Sequence, residues 1–146
     1  MVNLNQLVVH SKPKVGDIKE FINNCEDSLD RFTYFKHRSF EIINSHIATV
    51  LISNKSQTIG YGHLEKENNK IWLGIMIKSQ SKGKGYGKYL MNYLLSQYNI
   101  IIDSLPLYLT VHVSNCQAIS LFEKVGFQKQ YLINNNMKYM MKYQNR

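Results

Sequence analysis

The sequence predicts a mixed α/β fold. Segments with the two-residue alternation of strands interleave with segments that carry apolar residues at helical spacing. The stretch Ile71-Trp72-Leu73-Gly74-Ile75-Met76-Ile77 is apolar on both faces, as a central strand covered from both sides would be. At 146 residues the chain is expected to form one domain over residues 1–146. A chain of that size buries roughly 70% of the surface its unfolded form exposes, enough for a self-sufficient core.

Leu7 to Val9 open the pattern as a short apolar stretch. Val15 to Cys25 place Ile18, Phe21 and Ile22 on one helical face, with Asp17 and Glu20 near the start, where the helix dipole favours acids. Leu29 to Ile43 is rich in aromatics (Phe32, Tyr34, Phe35, Phe40) and suits one or two short helices. Thr49 to Ile52 and Thr58 to Glu65 read as strands joined by the polar turn Ser53 to Gln57. Asn68-Asn69 marks a turn into the apolar strand at 71–77, and a Gly- and Lys-rich loop, Lys78 to Lys88, leads into a helix with Leu90, Met91, Leu94 and Leu95. From Pro106 to Val113, Leu107, Leu109, Val111 and Val113 alternate with Tyr108, Thr110 and His112 as in a strand. Ser114 and Gln117 have capping-box spacing, and the helix they open carries Ala118, Leu121, Phe122 and Val125. Gly126 suits a left-handed cap. Tyr131 to Ile133, the turn Asn134-Asn135-Asn136 and Met137 to Tyr143 read as a final hairpin.

Composition excludes several classes. Apolar residues are 44% and charged residues 19%, ordinary for a globular protein and unlike a disordered one. The longest apolar run is far short of the roughly 18 residues a membrane span needs. Met1-Val2-Asn3-Leu4-Asn5 has neither a basic region nor an apolar run, so a cytoplasmic protein without a membrane partner is expected. Cys25 and Cys116 form neither a disulfide framework nor a zinc pattern, and the five histidines have no ligand spacing, so no metal is expected. A net charge of +8 suits an anionic partner: a nucleic acid, a membrane surface or a phosphorylated small molecule.

The charge is densest in Lys82-Gly83-Lys84-Gly85-Tyr86-Gly87-Lys88, between the apolar strand and a helix. Glycines let the backbone approach a ligand, and a helix start offers unpaired amides and a positive dipole end, a combination suited to a pyrophosphate. Walker A fails because Tyr89 follows Gly87-Lys88, and the dinucleotide fingerprint fails because its third glycine falls on Lys88. By spacing alone, a flexible loop with solvated lysines stays open.

The loop resembles the acetyl-CoA pyrophosphate loop of the GNAT superfamily of N-acetyltransferases, Gln/Arg-x-x-Gly-x-Gly/Ala, with Lys82 at the first position and Gly85 and Gly87 at the last two. A second block of that family, Asn-x-x-Ala-x-x-Leu-Tyr/Phe-x-Lys-x-Gly-Phe, is matched by Asn115 through Phe127. The resemblance implies a mostly antiparallel twisted sheet flanked by helices, whose strand before the loop bulges and parts from the next parallel strand to admit acetyl-CoA as co-substrate. It implies that Ile75, Met76 and Ile77 lie along pantetheine and the thioester. It implies further that Lys82, Gly83, Lys84, Gly85, Tyr86, Gly87 and Lys88 cradle the pyrophosphate, and that Asn115 and Phe122 border the cofactor.

Direct acetyl transfer needs a neutral amine and hence a base. The glutamate that many family members carry near the start of the strand at 71–77 is absent, since that position falls on Ile71 or Trp72. Tyr61, His63 and Glu65 alternate onto one face of the neighbouring strand, which makes His63 the first candidate base and Glu65 the second. Phe122 stands where the family's tyrosine acid stands, with Tyr86 and Cys116 as substitutes that nothing singles out. Arg31, Lys36, His37 and Arg38, interleaved with Phe32, Tyr34 and Phe35, suit a planar or anionic acceptor, and equally an amphipathic helix. The leading expectation is acetylation of a primary amine on a small molecule. A protein or peptide amine, a non-catalytic acyl-CoA sensor and, against the absence of any base-reading motif, a nucleic-acid binder are the alternatives weighed. A homodimer stays open.

Overall fold

The computed structural model describes residues 6–25, 32–55, 57–101 and 104–144. Along the chain they form β1 (Leu7–His10), α1 (Val15–Asn23), β2 (Ala48–Asn54), β3 (Gln57–Glu67), β4 (Lys70–Ile77), α2 (Tyr86–Asn99), β5 (Leu107–His112), α3 (Cys116–Val125), β6 (Phe127–Ile133) and β7 (Lys138–Tyr143). One seven-stranded sheet has the order β1-β2-β3-β4-β5-β7-β6, antiparallel throughout except between β4 and β5. The mixed, mostly antiparallel architecture expected from the sequence is therefore the one observed.

The parallel pair is short. β4 and β5 are in register only at Ile71–Leu107 and Trp72–Tyr108, after which they part. β3 holds β4 without a register shift from Glu67–Lys70 to Gly60–Ile77, and β7 holds β5 from Tyr108 to His112. Each half of the sheet thus follows its own neighbour and its own twist, and the two diverge. The expected bulge in β4 is not seen on the β3 side, because the long antiparallel ladder keeps that edge regular.

Both faces of the sheet are covered. One packs α2 and α3 through Leu64, Ile71, Leu73, Leu90, Leu94 and Phe122. The other packs α1 and a 3-10 turn at Phe40–Ser45 through Ile18, Phe21, Ile43, Leu51, Tyr61 and Met76. Leu73 enters the first core and Met76 the second, so the doubly apolar pattern of β4 has the meaning read from it.

Three local expectations change. Asn115 caps α3, its Oδ1 accepting from the Ala118 amide at 3.4 Å, because the Ser114 hydroxyl is engaged by His112 Nδ1 at 2.8 Å. The final hairpin starts at Phe127, directly after the left-handed Gly126 (φ 117°), and not at Tyr131. β6 is an edge strand exposed over residues 128–132, so its first half carries none of the apolar alternation that marks a strand. Of the aromatic stretch 29–43, residues 29–31 lie outside the described residues, and the rest forms a turn at 34–37 and the 3-10 turn. Among the described residues no helix is long and apolar enough to cross a membrane.

Candidate active site

Where β4 and β5 part, a cavity of about 1230 Å³ opens, lined from both faces of the sheet. At one end lies the start of α2. Gly83 (φ 75°) and Gly85 (φ 88°) take left-handed backbone conformations, and Gly85 is the residue that opens the helix. A Cβ on Gly85 would meet nothing within 4 Å, so the space before the helix start is open, and the first-turn amides of α2 have no helical partner of their own. Gly87 packs closely instead, since a Cβ there would lie 3.3 Å from Leu121 of α3. This loop, with Lys82 and Lys88 lining the same cavity, fits a diphosphate at a helix N-terminus.

Ten of the twelve residues expected to bind the cofactor line this cavity: Ile75, Met76, Ile77, Lys82, Gly83, Gly85, Gly87, Lys88, Asn115 and Phe122. Lys84 and Tyr86 do not. Tyr86 is 4% exposed, and its phenol accepts a hydrogen bond from Asn54 Nδ2 at 2.9 Å, which ties the loop to β2. The substitute acids Tyr86 and Cys116 are thus both outside the cavity lining. Phe122 is buried and stacks near Phe127.

The other end of the cavity is built on β3. His63 and Glu65 point to the same side, as strand alternation requires, and both line the cavity. His63 pairs with Gly74 of the neighbouring β4, and a methyl group on Gly74 would overlap the imidazole. The space a side chain at 74 would need is therefore filled by the histidine. His63 Nδ1 is paired with the Tyr61 hydroxyl at 2.7 Å. Its ring stacks on His46 at 4.5 Å and touches the ring of Tyr34 at 4.3 Å.

Tyr34 joins the group together. Its hydroxyl donates to Glu65 Oε1 at 2.9 Å and meets His46 Nε2 at 2.7 Å, while His46 Nδ1 meets Thr49 Oγ1 at 3.0 Å. Burial pushes His63 well below the usual imidazole range, helped by His46 and Arg38, and pushes His46 down to about 4, with Arg38 adding to it. Burial also raises the Tyr34 phenol, with the Glu65 hydrogen bond adding to it. Both imidazoles are accordingly neutral at pH 7. The ligating atoms of His46, His63 and Glu65 lie within 4.8 Å of one another. Both ring nitrogens of His46 already have partners in Tyr34 and Thr49, however, and His63 Nδ1 has Tyr61.

Sequence reasoning missed Tyr34 and His46 as parts of this site. Tyr34 stood inside the aromatic and basic stretch assigned to the acceptor, but nothing singled it out. His46 belongs to no motif, and only the three-dimensional stacking on His63 brings it in. Of that stretch, Lys36, His37 and Arg38 line the cavity, and Arg31 lies outside the described residues.

Known proteins share this architecture. The chain is similar to a spermidine N-acetyltransferase chimera from Vibrio cholerae and hSSAT, with 25% identity and a TM-score of 0.69 over 94% of this chain and 95% of that one. It also resembles an IAA acetyltransferase from Bacillus cereus at a TM-score of 0.73 and 15% identity over 94% and 98%, a likeness of fold. The spermine/spermidine N(1)-acetyltransferase of Bacillus subtilis is 29% identical over 65 residues, 44% of this chain and 43% of that protein. The match thus spans less than half the length of that curated relative. Residues 20–137 match the family model of the acetyltransferase (GNAT) domain, which is most of the chain. The protein belongs to the GNAT acetyltransferase family.

Proposed function

We propose that this protein is an acetyl-CoA-dependent N-acetyltransferase that moves an acetyl group directly onto a primary amine of a small molecule. The observation that carries this reading is the continuous cavity through the split sheet, which joins a glycine-rich helix start to the His63–Glu65–Tyr34 group. Acetyl-CoA supplies the activated acetyl group as a thioester. The open space at Gly85, the unpaired first-turn amides of α2 and the ammoniums of Lys82 and Lys88 suit its phosphates. The edges of β4 and β5 beyond Trp72 and Tyr108 do not pair with each other, which leaves a gap between them suited to an extended pantetheine arm. The relatives named for spermidine and spermine support a small-molecule amine over a protein.

An ammonium has no lone pair, so the amine must lose a proton before it attacks. Neutral His63 accepts a hydrogen bond from the incoming amine and orients it. Burial makes an imidazolium there costly, which shifts the proton-accepting role to Glu65. The Tyr34 hydroxyl holds one oxygen of Glu65, leaving the other to take the proton, directly or through water. The departing thiolate, like a cysteine thiolate of pKa about 8.5, leaves without an acid, so a phenylalanine at 122 is tolerated.

An acyl-CoA sensor is the second reading, favoured by the missing phenol at 122. Thermal melting and CoA release from a panel of amines test both. Acetyl-CoA at 100 times its dissociation constant should stabilise the fold by about 2.7 kcal/mol. No shift with folded protein overturns both readings, and a shift without turnover of any amine leaves the sensor. Phe122→Tyr should change turnover by less than about tenfold if the thiolate leaves unaided.

A further inference from the structure

The acceptor end of the cavity has a charge distribution that the acetyl-transfer chemistry does not need. Arg38 and Lys138 face the cavity from two different parts of the chain, the 32–38 segment and β7. Lys138 Nζ donates to Thr33 Oγ1 at 3.2 Å, which bridges these two walls across the gap between the halves of the sheet. The Arg38 guanidinium lies 4.3 Å over the Tyr34 ring and spends one donor on the Tyr34 carbonyl at 2.8 Å. Among the described residues neither cation forms an ion pair with a carboxylate. Glu65, the buried acid of this end, is already bonded to Tyr34.

Of the aromatic rings that line the cavity, Tyr34 carries Arg38 and Trp72 lies near Lys70, which in turn sits by Tyr108 outside the lining. Lys70 Nζ sits 6.0 Å from the ring of Trp72 and 5.0 Å from that of Tyr108, and Lys142 Nζ sits 5.9 Å from Tyr108. A polycationic acceptor would find the lining rings Tyr34 and Trp72, which favour a cation, already facing Arg38 and Lys70. It would also approach a chain of net charge +8. Among the described residues, the carboxylates lining the cavity that would welcome it are Glu67, which is exposed, and Glu65, which already holds Tyr34.

We propose that the natural acceptor carries an anionic group, a carboxylate or a phosphate, in addition to its amine, and that Arg38 and Lys138 hold that anion. The inference rests on the acetyl-transfer reading above. Arg38 lies 4.3 Å over the Tyr34 ring, and the Tyr34 hydroxyl donates to Glu65 at 2.9 Å, so one small molecule can reach both the anion site and the base. A guanidinium presents a planar fork of donors that matches carboxylate and phosphate oxygens, and its remaining donors are free to do so.

Matched pairs of amines test this: an amino acid against its amide, an amino sugar phosphate against the unphosphorylated sugar, and spermidine alone. The wild type should prefer the anionic member of at least one pair by about tenfold or more in kcat/KM, and which pair tells carboxylate from phosphate. Arg38→Gln and, separately, Lys138→Gln should each collapse that ratio, a comparison that cancels any general loss of activity in the variant. If no amine is turned over, calorimetry of the same pairs against the acetyl-CoA complex reads the anion site by itself, while the transfer reading falls. Spermidine or the neutral members used as well as the anionic ones, or ratios and binding unmoved in both variants, overturn the proposal.

Discussion

Glu65 and His63 differ in what surrounds them, and the division of work proposed for them follows from that difference. The imidazole is enclosed by Tyr61, Tyr34, His46 and the bare backbone of Gly74, so a proton on it would be a charge without water. The carboxyl group instead accepts the Tyr34 hydroxyl at 2.9 Å. Glu65→Gln should therefore lower kcat by about a hundredfold at pH 7, and raising the pH should restore part of it as the free amine forms. His63→Gln should chiefly raise KM for the amine and leave the shape of the pH profile alone. A pH–rate profile of both variants checks this; a profile changed by His63→Gln and unmoved by Glu65→Gln would return the base role to the histidine. Alternation along β3 made His63 and Glu65 legible in the sequence. The order proposed here, Glu65 before His63, was not legible, because it is argued from Tyr34 and His46, which reach the site only through folding.

At the scale of elements, the start of α2 carries most of what the sequence disclosed. Glycines at 83 and 85 announce a backbone conformation that other residues resist, and their φ values of 75° and 88° confirm it. Gly85→Val should cost about 1–2 kcal/mol of stability through the left-handed strain and weaken acetyl-CoA binding by a larger factor, because the side chain fills the open space. Calorimetry with acetyl-CoA and a melting curve separate the two effects, and affinity within twofold of wild type would show the loop to be an ordinary connection. The start of β6 and the cap of α3 were read less well. An edge strand needs no apolar alternation, and Ser114 and Asn115 are both good caps whose choice is decided by the neighbouring His112.

For the whole molecule, the two neutral imidazoles couple stability to pH. His46 moves from an ordinary value of 6.5 to about 4 on folding, and His63 moves in the same direction. The unfolded chain then binds more protons than the folded one between those values. Stability is complete above pH 6.5 and is lost as the pH falls toward 4. The midpoint of thermal unfolding should drop steeply between pH 6.5 and 4.5, and less steeply in His46→Gln, whose amide can still pair with Tyr34 and Thr49. Equal slopes in the two proteins would place the acid sensitivity elsewhere.

The cavity passes through the sheet and is lined from both of its faces, while Cys25 and Cys116 are not among its lining residues. Gly83, Gly85 and Lys88 line it at α2 and Tyr34, Arg38 and Glu65 line it on the other side, so on the proposed reading donor and acceptor each have their own part of it. Neither has to leave before the other arrives, and no thiol waits in between to carry the acetyl group alone. Initial rates measured over a grid of both concentrations should therefore give intersecting reciprocal plots, the mark of a ternary complex. Parallel lines would mean that the acetyl group rests on the protein between two half-reactions.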